Sequence, residues 1–206
     1  MIYDISPSIN KNTAVWPGDV SYENTIDVDM KTGAHLTVSH IRTTLHIGAH
    51  ADAPSHYSCF GKNIDEVELE YYLGPCQVIQ IEALHEPFTI SIKDIKDKKL
   101  KAPRVLFKTG TFTNFCQWNN DFAHLCPELI SELYKYDVKL IGIDTPSVDA
   151  FHSKTLETHK KISEYGMAIL EGLDLRNVSE KIYELIALPL KLVGADASPV
   201  RAILRD

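Results

Sequence analysis

The sequence predicts an α/β protein with abundant strand, folded as a single domain over residues 1–206. Three observations lead there. The chain is 44% hydrophobic over 206 residues, enough for one sizeable core. No composition break or Ser/Gly-rich linker divides it. Short β-prone runs alternate with Gly- and Pro-bearing turns, and a few stretches carry helical spacing instead.

Residues 2–9 read as a short strand closing on Pro7. Trp16-Pro17-Gly18-Asp19 is a turn, because Pro presets φ at one corner and Gly accepts positive φ at the next. Residues 21–30 and 35–47 have strand character, and Leu69 to Leu73 a helical turn stopped by Gly74-Pro75. Cys76 to Ile81 alternates as a strand, and Ser91 to Lys98 is a short helix with Ser91 as its cap. Arg104 to Lys108 is a strand. Pro127 to Tyr136 is a helix, with Pro127 in its first turn and Leu129, Ile130 and Leu133 on one side. Leu140 to Ile143 is a buried strand leading into Asp144-Thr145-Pro146-Ser147, a loop placed to shape a pocket or simply to cap a turn. Ser153 to Tyr165 is a helix stopped by Gly166. Met167 to Leu170 is an apolar run ending at Glu171, and Tyr183 to Leu188 is a further strand. Sheet order does not follow from this pattern.

The net charge of −7 argues against a nucleic-acid partner, and the basic cluster Lys93 to Lys101 is interleaved with Asp94 and Asp97. Four cysteines, with no Cys-x-x-Cys pair, read as free thiols packed in a protein of the reducing cytosol. The N-terminus lacks the charged and apolar regions of a signal peptide. The most apolar late segment, Ile186 to Ala195, is too short to span a bilayer. The expectation is a soluble cytoplasmic protein with no membrane partner.

The chemistry concentrates in His46-Ile47-Gly48-Ala49-His50-Ala51-Asp52-Ala53-Pro54-Ser55-His56, which holds three of the nine histidines. In a strand, side chains repeat with period 2, so His46, His50 and Asp52 share one face. Gly48 and Pro54 oppose the alternative, a helix. The reading is a strand running into a tight turn, with metal donors on one side and His56 just beyond. Imidazole plus carboxylate without thiolate suits Zn²⁺ or Mn²⁺. An unperturbed imidazole titrates near neutrality, so His56 suits proton transfer. Glu171 ends an apolar run; it either faces solvent or, if buried, needs a cation. His159 lies within the helix at 153–165, and taken alone it reads as a surface histidine. Trp16, taken alone, reads as a core aromatic beside a turn. His35, His40, His85, His124 and His152 have no donor-spaced partner and read as surface or packing residues. Lys108-Thr109-Gly110-Thr111 lacks the phosphate-loop pattern, so no nucleotide site is expected.

The His46–His56 stretch resembles the His-x-Gly-(Thr/Ala)-His-x-Asp-x-Pro-x-His signature of the metal-dependent cyclase family, which includes bacterial kynurenine formamidase (arylformamidase) and isatin hydrolase. Trp16 to Asp19, Tyr72 to Cys76, Asp144 to Ser147, Ile169 to Leu173, Ala187 to Leu192 and Asp196 to Ala202 also resemble the formamidase branch. The resemblance implies a swivelling β/β/α fold with a mixed sheet, usually assembled as a homodimer or larger. It also implies two Zn²⁺ per subunit (Mn²⁺ or another divalent ion being possible). His46 and His50 would bind the first ion and His159 the second, with Asp52 and Glu171 bridging. His56 would be the proton donor and acceptor, and Trp16 would line the substrate pocket.

The activity so implied is hydrolysis of N-formyl-L-kynurenine to L-kynurenine and formate in tryptophan degradation, with metal-activated hydroxide attacking the formyl carbon. The motif reports the reaction centre and not the pocket. The same residues therefore also fit a hydrolase of another aryl amide or lactam such as isatin, or a non-catalytic metal-binding protein.

Overall fold

The structure, a computed structural model, describes residues 1–82 and 86–206; His85 lies outside the described residues. The strands are β1 (Ile2–Asp4), β2 (Glu23–Val28), β3 (Val38–Arg42), β4 (His50–Asp52), β5 (Leu73–Gln80), β6 (Thr89–Ile90), β7 (Arg104–Lys108), β8 (His124–Leu125), β9 (Leu140–Ile143), β10 (Ala168–Glu171), β11 (Ile182–Ile186), β12 (Ala197–Pro199) and β13 (Ile203–Arg205). The helices are α1 (Ile92–Ile95), α2 (Pro127–Tyr134) and α3 (Glu157–Glu164). Nine strands form one mixed sheet in the order β1-β13-β11-β5-β7-β9-β10-β4-β12, so the expected α/β class with a mixed sheet holds.

The centre of the sheet is parallel, β5 to β7 to β9 to β10, and both flanks are antiparallel. Parallel strands need cover on both faces. Val105, Phe107, Ile141, Ile143 and Ile169 pack on one side with Leu129, Ile130 and Leu133 of α2 and Ile162 of α3. Leu106, Leu140, Ala168 and Leu170 pack on the other with Ala51, Cys76 and Val78. This two-sided burial explains why these strands read as continuous apolar runs.

The same alternation aims the chemistry. β4 pairs antiparallel with β10, placing His50 opposite Glu171 and Asp52 opposite Ile169. Cross-strand partners share a face, so His50, Asp52 and Glu171 point toward the helical side. There α3, which connects β9 to β10, supplies His159. β12 pairs with β4 from the other edge, Ala197 opposite Asp52, and brings the C-terminal part of the chain alongside.

Several element boundaries move. The strand expected over 35–47 ends at Arg42, and His46 lies in a bend before β4 rather than on a strand. Bends run from Leu45 to Ala49, and Gly48, at a left-handed φ of 59°, breaks the pleat between His46 and β4. The helix expected from Ser153 starts at Glu157, because Leu156 sits at φ 48° and leaves the helical region. The cysteines are free as expected, but Cys59 and Cys116 are exposed, so only Cys76 and, partly, Cys126 pack. Among the described residues no helix is long and apolar enough to cross a membrane.

Gly172 follows Glu171 at φ 64°, and a Cβ there would stand 2.1 Å from the Gly48 carbonyl oxygen. Gly166, which follows α3, has a similar φ of 63° with nothing within 4 Å of its Cβ position. Both Gly→Ala changes should lose the left-handed penalty of about 1–2 kcal/mol. Gly172→Ala should lose a further 1–3 kcal/mol or so from overpacking. Urea unfolding of the two variants checks the difference; equal losses would contradict it.

Candidate metal centre

Asp52 and Glu171 are 2% and 3% exposed, so the solvent-facing reading of Glu171 falls. Around them stand the imidazoles of His46, His50 and His159, each with one nitrogen tied to an acceptor behind it. His50 Nδ1 lies 2.9 Å from the Gly48 carbonyl oxygen. His159 Nδ1 lies 2.7 Å from Asp149 Oδ2. His46 Nε2 lies 3.1 Å from Asp196 Oδ2. A neutral imidazole has one donor and one acceptor nitrogen. With these N–H groups donating outward, the other nitrogen of each ring presents its lone pair to the carboxylates.

The inward distances are short. His46 Nδ1 is 3.0 Å from Asp52 Oδ1, and His50 Nε2 is 3.4 Å from the same oxygen and 3.3 Å from Glu171 Oε2. His159 Nε2 is 3.3 Å from Asp52 Oδ2 and 3.4 Å from Glu171 Oε1. A lone pair facing a carboxylate oxygen is repulsive unless a proton or a cation lies between. His50 Nε2 and Asp52 Oδ1 are buried with no hydrogen-bond partner. Orphaned buried polar atoms call for an explanation, and a divalent cation satisfies both. Two groups of donor atoms, His46-Asp52-His56 and His50-Asp52-Glu171, each lie within 4.8 Å of one another and share Asp52. Outward N–H bonds to a carboxylate or backbone carbonyl are the usual support of metal-bound imidazole. The residues present therefore fit a metal.

Protons stand in for that charge in the electrostatics of the metal-free cluster. Burial works to raise the Asp52 carboxyl, but the hydrogen bond from His159 and the nearby charges of His46 and His50 outweigh it and hold it well below the usual range. Burial and the neighbouring Asp52 charge both push Glu171 up, yet the hydrogen bond and charge of His159 and the proximity of His50 leave it lowered. Burial opposes charge on His159, but Asp149, Asp52 and Glu171 raise it well above an ordinary histidine. His46 is likewise raised against its burial, by Asp52 and Asp196, to about 9.

Loop geometry explains the positions. Asp149 accepts the backbone N–H groups of Thr158 at 3.1 Å and His159 at 3.0 Å, so one side chain caps the start of α3 and aims the His159 ring. His159 is 2% exposed, which overturns its reading as a surface residue. Glu171 Oε1 accepts the N–H of Val148 at 2.7 Å. Pro54–His56 form a short 3-10 turn after β4 that swings His56 off the strand face. The His56 ring then sits 4.1 Å from that of His46, with Nδ1 3.3 Å from Asp196 Oδ2.

The cluster opens into a cavity of about 270 Å³ lined by His46, His50, His56, His159 and Glu171 and by the aromatic rings of Trp16, Phe112, Phe115 and Trp118. Trp16 stands 5.1 Å from both Trp118 and Phe151 between ring centroids. Pro146 and Ser147 line the cavity, while Asp144 anchors the aromatic loop by accepting the N–H groups of Thr109 and Gly110 at 2.9 Å each. The remaining described histidines lie elsewhere: His40 pairs with Asp27, His124 with Thr89, His35 is exposed, and His152 packs against Phe151. Sequence reasoning missed Asp149, Asp196 and the aromatic loop. The density of aromatics among polar residues from Phe112 to Phe122 was the available signal.

Residues 3–150, more than half of the chain, match the Cyclase family. The chain belongs to the Cyclase family. Solved structures agree over nearly the whole length. One described as a potential metal-dependent hydrolase with cyclase activity is 28% identical, with a TM-score of 0.85 over 99% of this chain and 96% of that one. A second, described as a predicted metal-dependent hydrolase from Bacillus stearothermophilus, is 28% identical with a TM-score of 0.83 over 99% and 97%. An isatin hydrolase bound to the product analogue thioisatinate is 19% identical with a TM-score of 0.84 over 98% and 91%, a likeness of fold.

Metal must displace the proton that His46 holds up to about 9 in the metal-free protein. Apparent zinc affinity should therefore rise with pH from the ordinary histidine range to about 9, with proton release on binding. Calorimetric titration in two buffers of different ionisation enthalpy measures that release; affinity that is flat across this range would contradict it.

Proposed function

We propose that the protein is a metal-dependent amide hydrolase that converts N-formyl-L-kynurenine to L-kynurenine and formate in tryptophan degradation. The observation that carries the reading is one cavity lined both by a buried His/Asp/Glu donor cluster and by a set of aromatic rings. His46, His50, Asp52, His159 and Glu171 would hold the cation, with Zn²⁺ or Mn²⁺ suited to the donor set and two ions per subunit in the proposed arrangement. A cation held there supplies Lewis acidity and lowers the pKa of water.

The chain's own groups do the rest. His56, part-exposed at the mouth of the cluster, takes the proton from water and returns it to the departing aniline nitrogen. Trp16 and Trp118, which line the cavity, would pack the aryl ring edge or face, with Phe151 buttressing Trp16 from behind. The depth of the cluster keeps competing water out of the charge interactions. The free cysteines suit a cytoplasmic location. A homodimer belongs to the same reading, since the β2–β3 hairpin leaves Ile26 and Ile41 57% and 62% exposed. The alternative reading, a hydrolase of a cyclic aryl amide on the same residues in place of formylkynurenine, has the likeness of fold to isatin hydrolases behind it.

Turnover of N-formylkynurenine beside a panel of aryl formamides and lactams tests the substrate. Activity lost to a chelator and confined to formyl anilides is the expected result; a metal-loaded protein active only on lactams would overturn it. His56→Ala should keep its metal and lose about 10²–10⁴-fold in kcat. Loss of metal instead would make His56 a ligand.

A further inference from the structure

Asp196 has no part in the donor set, yet one of its oxygens touches two imidazoles. Oδ2 lies 3.1 Å from His46 Nε2 and 3.3 Å from His56 Nδ1. The two rings are themselves 4.1 Å apart and tilted by 42°. A carboxylate only accepts, so each nitrogen facing it carries a hydrogen. That puts the hydrogen of His56 on Nδ1 and leaves its Nε2 free. His46 carries one hydrogen on Nε2, and its Nδ1, 3.0 Å from Asp52 Oδ1, then holds either a second proton or the cation.

The position of Asp196 is built rather than incidental. It directly precedes β12, which is zipped onto β4, the strand that carries His50 and Asp52. The Asp196 carbonyl oxygen accepts the Ala53 N–H at 2.9 Å, and the neighbouring Ala195 carbonyl oxygen accepts the Ile64 N–H at 2.9 Å. Backbone bonds thus hold Asp196 against the start of the turn that bears His56, and its neighbour Ala195 against Ile64 further along. The side chain is half-exposed, so its reach to two rings at once does not come from burial.

We infer that Asp196 is a positioning residue that fixes one N–H of His46 and one of His56 with a single oxygen, and so ties the proton shuttle to the metal donors. The inference rests on the proposed roles of those two histidines. It makes His56 Nε2 the atom that takes and returns the proton. It also makes the shuttle sensitive to changes at the first metal ligand, because both rings compete for one acceptor.

The test is Asp196→Asn, with Asp196→Ser as a second variant should the first fail to fold. Two readouts need no turnover. Imidazole ¹H–¹⁵N spectra of the zinc-loaded wild type should show His56 protonated at Nδ1, and the variant should lose that preference while His159 is unchanged. Competition with a chromophoric chelator should show zinc binding weakened about 10–100-fold, as for other outer partners of metal-bound histidine. With an active substrate, kcat should fall by at least about 10-fold and KM should change far less. A folded variant with wild-type His56 spectra and wild-type zinc affinity would overturn the inference. A wild-type protein inactive on every amide would overturn the proposed function alone, because the spectra and the metal competition still decide the role of Asp196.

Discussion

Asp52 and Glu171 hold negative charge in a place nearly closed to water, and neighbouring strands force them together. An isolated buried carboxylate costs many kcal/mol by solvation alone. The fold tolerates two because imidazoles close around them and because the outward nitrogen of each ring is tied down by Gly48, Asp149 or Asp196. Without a cation, the raised His46 and His159 supply the compensating charge as protons. With a cation, the same lone pairs become ligands. The cluster is thus arranged for positive charge at its centre.

The architecture follows from placing that cluster. A parallel centre buried on both faces gives rigid strands, and the antiparallel flank lets β4 and β10 present donors side by side. The β9–α3–β10 connection delivers His159 from above the same face, and β12 closes the edge with Asp196. Gly172 allows the chain to turn directly behind Glu171 at a distance from the Gly48 carbonyl that no side chain would permit. Catalytic machinery on strands and a short helix is held more precisely than on loops. The aromatic lining, by contrast, is borne largely on the loop from Phe112 to Phe122, where substrate choice can vary without disturbing the cluster.

Much of this was legible in the sequence. The period-2 rule placed His50 and Asp52 on one face, because both lie on β4. It failed for His46, which reaches Asp52 through the left-handed bend at Gly48 instead of along a strand. The apolar run before Glu171 left a solvent-facing and a buried carboxylate both open, and the structure takes the buried one. The roles of Asp149 and Asp196 were not legible, since they depend on contacts 10 and 150 residues distant along the chain. Local spacing carries no record of such contacts. The family resemblance drew attention to the segment beginning at Asp196 but gave that residue no role.

The central claim is that a divalent cation belongs between Asp52 and the three imidazoles. Thermal unfolding of chelator-stripped protein, with and without zinc, addresses it most directly when wild type is compared with Asp52→Asn. Zinc at about 100 times its dissociation constant should stabilise the wild type by about 2.7 kcal/mol and leave the variant unmoved. Equal stabilisation of both proteins, or of neither, would contradict the account.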